Sequence, residues 1–335
     1  MGVDALNTLA KGAVAGALYC MTQTEVLQSV VGNAAPLAAL RGRGVQAALH
    51  SAAAAGLLAP LGALLARAEE VTVDATNDDG GTALIQAALG GHVKAIKALL
   101  EAGAAVDDKD TNGDSGSTAL MWAVTGGHAM AIKALLGAGA AVDAKNKGGR
   151  TALMLAAGDG HAKAIKALLE AGAAVDAKDE GGDMALMSAA AGGHAKAIKA
   201  LLEAGAAVDD KNESDGTALM WAATGGHAMA IKALLGAGAA VDAKDEDGRT
   251  ALMIAAENGH AMAIEALLEA GAAVDAKDTD GGTALMSAAG DGHAKAIEAL
   301  LEAGAAVDAK DNDGRLALNL AEENKHEEAA RLLRQ

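Results

Sequence analysis

A unit of 33 residues is written again and again along most of this chain, and that period constrains the fold more than any other feature. From Asp78 onward the pattern T-A-L-x-x-A-A-x-x-G-H-x-x-A-I-x-A-L-L-x-A-G-A-A-V-D-x-K recurs. It opens at Thr82, Thr118, Thr151, Met184, Thr217, Thr250, Thr283 and Leu316, in one step of 36 residues and then six of 33. A longer period lies on top: TALMWAVTGGHAMAIKALLGAGAAVDAK from Thr118 returns from Thr217, 99 residues later, with Val124 replaced by Ala223. A chain of this kind buries its apolar surface between neighbouring units rather than in one central core.

Each unit predicts two short helices and a loop. Thr is a good N-cap, and A-L-M-x-A-A then sets Leu and an Ala four positions on along one helical face, as over Thr82 to Leu89. Gly-Gly or Gly-Asp breaks that helix. His-x-x-Ala-Ile-x-Ala-Leu-Leu begins a second, with Ile and Leu on one side and Lys or Glu on the other, closed by the Gly of A-G-A-A. The polar run V-D-A-K-D-x-D-G-G suits a tight, hairpin-like turn projecting from the stack. Helices of roughly 8 to 11 residues are marginal alone in water, so each unit borrows stability from its neighbours.

The 33-residue period, the helix–turn–helix with its protruding loop, the G-H pair and A-L-L-E-A-G-A resemble ankyrin repeats. The resemblance implies an all-α repeat solenoid of L-shaped units with protruding β-hairpin loops, and a concave face lined by hairpins and first helices. One departure is the family's T-P-L-H, which stands here as T-A-L-M, for example Thr151-Ala152-Leu153-Met154. The lost proline and histidine predict looser, Met-filled packing there. Ala48 to Gly56 and Pro60 to Leu65 fit the pattern loosely, so residues 41–77 are expected to form a divergent first repeat. Seven repeats follow over 78–311, a charged C-terminal capping repeat occupies 312–335, and residues 1–40 are expected to form a helical cap.

Composition excludes several function classes. With 44 acidic against 27 basic residues the formal charge is −17, which repels nucleic acid. The single cysteine, Cys20, leaves no intramolecular disulfide and points to a reducing, intracellular and cytoplasmic setting. Residues 44–66 carry no Asp, Glu, Lys or Arg, long enough to span a bilayer, but the repeat pattern runs straight through them, so a membrane partner is not expected. Met1-Gly2 suggests myristoylation, yet position six is Leu6, and no signal peptide is evident.

No catalytic set stands out, and no cofactor or metal is expected. His92, His128, His161, His194, His227, His260, His293 and His326 form a ladder at repeat spacing. Packed helices lie roughly 8–10 Å apart, too far for ladder neighbours to share an ion, so a structural role is expected. Asp108-Lys109-Asp110-Thr111-Asn112-Gly113-Asp114 spells the first half of a calcium loop on the three-residue insertion, but its twelfth position is Ala119 rather than Glu. Trp122 and Trp221 follow T-A-L-M and are expected to pack between repeats.

A non-enzymatic protein-binding or scaffolding module is therefore expected. Its candidate partner-binding residues are Asp79, Asp114, Arg150, Asp183, Asp215, Asp247, Arg249, Asp280, Asp313 and Arg315, at the loop tips where the units differ. Residues 78–335 carry 23 basic and 39 acidic side chains, so the expected partner is a protein with a basic surface or tail. Two other readings are a designed or consensus-like scaffold without a natural ligand, and a membrane- or complex-anchored subunit held through residues 12–66.

Overall fold

The structure is a computed structural model that describes Leu40, residues 43–111 and residues 115–334. The expected N-terminal cap, apart from Leu40, and Asp114 lie outside the described residues. Among the described residues eighteen helices follow one another, two to a unit, and the fold is an all-α repeat solenoid. The chain clusters into two compact units, Met1–Ala152 with Lys166–Ala173, and Leu153–Ile165 with Ala174–Gln335.

The first unit holds α1 (Arg43–Ala54), α2 (Leu58–Leu65), α3 (Ala83–Leu89), α4 (Val93–Glu101), α5 (Ala119–Thr125) and α6 (Ala129–Gly137). Helices α7 (Ala152–Gly158) and α8 (Ala162–Glu170) fall where the two units meet in sequence. The second unit holds α9 (Ala185–Ala191), α10 (Ala195–Glu203), α11 (Ala218–Thr224), α12 (Ala228–Gly236), α13 (Ala251–Glu257), α14 (Ala261–Glu269), α15 (Ala284–Gly290), α16 (Ala294–Glu302), α17 (Ala317–Glu323) and α18 (Glu327–Leu333). Within each unit first helices pack on first helices, as α9 on α11, and second on second, as α10 on α12. The interior is a repeated layer of Leu, Ile and Ala, with Leu201, Ile198, Leu234 and Ile231 fully buried. The charge-free stretch 44–66 is broken at Gly56, φ +65°, into helices of 12 and 8 residues. Among the described residues no helix is long and apolar enough to cross a membrane.

The first helices start as the sequence implies. The Thr217 and Thr250 hydroxyls accept the N–H three residues on, from Met220 and Met253, at 3.4 Å. The methionines of T-A-L-M are buried: Met121, Met154, Met187, Met220, Met253 and Met286 are 1–4% exposed. The Met220 and Met253 thioethers also accept the cap residue's own N–H at 3.5 Å, a weak bond that ties the first turn. The divergent unit keeps a histidine there instead, and His50 joins the carbonyls of Gln46 and Ala75 at 2.8 Å each.

The G-H pairs couple neighbouring units. His227 Nε2 donates to the Ala191 carbonyl at 3.0 Å, His194 to Gly158 at 2.9 Å and His293 to Glu257 at 2.9 Å, each reaching back to the C-terminal end of the preceding first helix. The ring then lies against the preceding unit's glycine. Gly193 has φ +69°, and a Cβ there would fall 2.6 Å from the His227 ring. Gly238 has a comparable φ of +91° but nothing within 4 Å. Gly193→Ala therefore meets both backbone strain and a clash, whereas Gly238→Ala meets strain alone. Chemical denaturation should show Gly238→Ala costing about 1 kcal/mol and Gly193→Ala about 2–4 kcal/mol. Equal losses would mean that the imidazole contact carries no weight.

Candidate functional site

Apart from the inserted loop at Asp110, each loop is built on one Asx side chain. Asp245 Oδ1 accepts the N–H groups of Asp247 and Arg249 at 3.1 and 2.8 Å, and Asp278 and Asp311 do the same for the residues two and four places on. Two backbone bonds close each of these turns, for example Asp278 N to Gly282 O at 3.0 Å and Gly281 N to Asp278 O at 3.2 Å. The hairpins are thus Asx-closed turns, and among the described residues the β pairing is limited to two isolated bridges, Thr76 with Thr82 and Lys109 with Thr118. Consecutive tips are joined: Thr279 N donates to Asp247 O at 3.0 Å and Asn312 N to Asp280 O at 2.9 Å. Below them Lys244 Nζ donates to the Lys277 carbonyl and Lys277 Nζ to the Lys310 carbonyl, both at 2.7 Å.

The structure sorts the sequence-derived candidates into three loop places rather than one edge. Asp79, Asp247, Asp280 and Asp313 stand two residues after the loop-opening Asx. Arg150, Asp183, Arg249 and Arg315 stand four after it, and Asp215 three after it. The last three loops bring Asp247, Asp280 and Asp313 into one row, whereas Asp79 belongs to the first unit. Arg249 folds onto Asp245, Asp247 and Glu257 at 3.0, 3.6 and 3.8 Å, and Arg315 onto Asp311 and Asp313 at 2.8 and 3.3 Å. Asp183 accepts from Asn212 Nδ2 at 2.8 Å. Asp280 has Gly282 in the arginine's place, so its carboxylate keeps its charge unscreened from within its own loop.

Asp215 occupies a place that is Gly182, Gly248, Gly281 or Gly314 in other loops of the second unit, and it takes their left-handed conformation at φ 59°. The tip bond from this loop to the next, Glu246 N to Ser214 O, is 3.3 Å, against 2.9–3.1 Å at the other tips of the second unit. The compensating ion pair with Lys211, at 3.3 Å, is exposed and worth little. Asp215→Gly is expected to raise stability by about 0.5–1 kcal/mol in a thermal melt, and a fall would show that the ion pair outweighs the backbone strain.

Protonation separates the tip acids further. The Asp311 side chain is only 6% exposed. That burial pushes its pKa up, but bonds from the Arg315 backbone and side chain, the guanidinium charge and the Asp313 N–H outweigh it and hold the carboxyl below its ordinary 3.8. Since the folded carboxyl titrates lower than the unfolded one, its contribution to stability is present above 3.8 and lost as the pH falls through the lower folded value. A carbon-detected NMR titration should find Asp311 titrating below 3.8, and Arg315→Gln should move it upward. A midpoint indifferent to that substitution would remove Arg315 as the cause.

Sequence reasoning gave too little weight to the first-helix position that follows A-L-M. It is Gln86 and Trp122 in the first unit and Leu155, Ser188, Trp221, Ile254, Ser287 and Leu320 in the second. The signal was the variation itself, because its flanking residues hardly change. Trp122 is half-buried and its Nε1 donates to Asp110 Oδ2 at 2.8 Å, while Asp110 Oδ1 is buried without a partner. Burial first, then the charges of Asp74 and Asp107, raise the Asp108 carboxyl. Of the calcium half-motif, Asn112, Gly113 and Asp114 lie outside the described residues, and among the described residues no group of three or more His, Cys, Asp or Glu could hold a metal ion. In the second unit a cleft of about 220 Å³ opens between loops and first helices, lined by Asp278, Asp280, Gly282, Met286, Ser287, Asp311, Arg315 and Leu320.

A family model described as ankyrin repeats (3 copies) matches residues 49–146, 127–212, 207–278 and 270–335. The chain belongs to the ankyrin repeat family. Among solved structures it is similar to the crystal structure of the human ASB11 ankyrin repeat domain, at 29% identity and a TM-score of 0.60, over 65% of this chain and 98% of that one. No curated protein matches. Ankyrin repeats are as a class protein–protein interaction modules and are typically non-enzymatic.

Proposed function

We propose that this chain is an intracellular, non-enzymatic scaffold that binds a protein with a basic surface or tail through its loop tips and the first-helix face behind them. The observation that carries this reading is the row Asp247, Asp280 and Asp313, held at fixed spacing by tip-to-tip backbone bonds. Asp79, Asp183 and Asp215 add acidic character elsewhere along the loops, and Asp114 completes the set on the inserted one. Arg150, Arg249 and Arg315 set the local pattern of charge. With the backbone of the tips already fixed, less conformational freedom is lost on binding, and the summed potential of the carboxylates speeds encounter with a cation more than it deepens affinity.

A fluorescent blocked octa-lysine peptide, with octa-glutamate as control, provides the probe. Asp215, Asp247, Asp280 and Asp313 changed together to Asn should slow octa-lysine association about 3- to 10-fold at low salt and flatten its salt dependence. The melting temperature should stay nearly unchanged. Association indifferent both to salt and to these substitutions would discard the acidic-row mechanism.

A further inference from the structure

Building on that reading, we propose that the cleft between the last two loops and α15 and α17 is a subsite for one cationic side chain, an arginine or lysine of the basic partner. Ser287, a small residue, lines the space between its helix and the loops; the same first-helix position in the other repeats of the second unit is Leu155, Ser188, Trp221, Ile254 or Leu320. Its volume, about 220 Å³, falls below the roughly 300–1,000 Å³ of pockets for drug-sized ligands and suits a single side chain.

The chemistry of the walls selects the occupant. Met286 and Leu320 offer an apolar floor to an aliphatic stem. Two of the three lining carboxylates are engaged: Asp278 closes its own loop, and Asp311 holds both its loop and Arg315. Arg315 is in turn neutralised by Asp311 and Asp313. Asp280 is exposed, pre-positioned by its backbone bonds and unscreened by an arginine of its own loop, so it remains to meet a cationic head group. An anion would face a net acidic rim, and a purely apolar group would leave Asp280 without a counter-charge. A long stem that buries along apolar surface while its charge reaches a carboxylate is what arginine and lysine provide.

The test follows the Met286 methyl resonance, assigned with Met286→Leu, in the full chain. Blocked Gly-Arg-Gly is titrated in, with blocked Gly-Glu-Gly and blocked Gly-norleucine-Gly as controls. Gly-Arg-Gly should shift the Met286 methyl saturably and leave that of Met154, in a first helix outside the cleft, in place. Asp280→Asn should weaken that binding about threefold or more. Ser287→Trp should abolish it while keeping the helical circular-dichroism signal, since tryptophan already occupies this position at Trp122 and Trp221. Equal binding of the norleucine peptide, or a Met286 methyl that stays still, would overturn the cleft proposal. If octa-lysine nonetheless associates in a manner that depends on the aspartates, the acidic row stands without the cleft. If it does not, both readings fall.

Discussion

The hydrogen bond on which the stacking depends runs from a histidine Nε2 to the last carbonyls of the preceding first helix. Those helices have seven residues, too few to be stable alone, and their C-terminal carbonyls lack partners within the helix. The imidazole of the next unit supplies the partner and also fills the space above the glycine. The two residues of one G-H pair therefore serve different neighbours: His194 reaches back to Gly158 O and lies over Gly160, while Gly193 receives the ring of His227. At the end of the stack Asn324 Nδ2 takes the Gly290 carbonyl at 2.8 Å. Lys325 there adopts the left-handed conformation, φ 63°, that glycine has elsewhere, with no further histidine ring in this chain to meet its Cβ.

A second set of inter-unit bonds explains why net charge overstates what is free to bind. The aspartate of each A-V-D-x-K run points at the next unit: Asp209 Oδ1 accepts the Ala240 N–H at 2.8 Å, Asp242 that of Ala273 and Asp275 that of Ala306, both at 2.9 Å. The loop-opening Asx residues hold backbone N–H groups as well. Much of the acidity is structural, with carboxylates acting as acceptors for backbone donors. Of the acids two places further on in the last three loops, Asp247 and Asp313 are paired with Arg249 and Arg315, and Asp280 has no arginine in its own loop.

The repeat period, the two helices, the threonine caps and the structural use of histidine were all legible, because each follows from local pattern at a fixed spacing. The placement of the binding surface was only partly so. Sequence variation marks Arg249, Asp280 and Arg315 alike, but whether a tip residue is free depends on which side chain folds back across a five-residue turn. Arg249 and Arg315 do so because Asp245 and Asp311 wait four positions earlier. The depth at which the methionines sit is likewise a tertiary property: Met154 and Met220 are 1% and 4% exposed.

The duplicated block shows how units of nearly one sequence acquire different surfaces. Trp122 and Trp221 sit in the same T-A-L-M-W run, yet the loop-opening residue of their units differs. On the three-residue insertion it is Asp110, which takes the Trp122 indole N–H on one oxygen. In the later copy it is Asn212, whose Oδ1 closes its own turn on Ser214 and Gly216 while its Nδ2 reaches Asp183 in the loop before. The helices are held nearly constant by the demands of stacking, since any change there is felt by two neighbours at once. A loop has one flank in solvent, and a substitution such as Gly282 for arginine, or a serine at the helix face behind it, changes the surface without disturbing the stack. Diversification in this chain therefore collects at the loop tips and at the first-helix position behind them, and the Ser287 cleft lies where those two variable places meet.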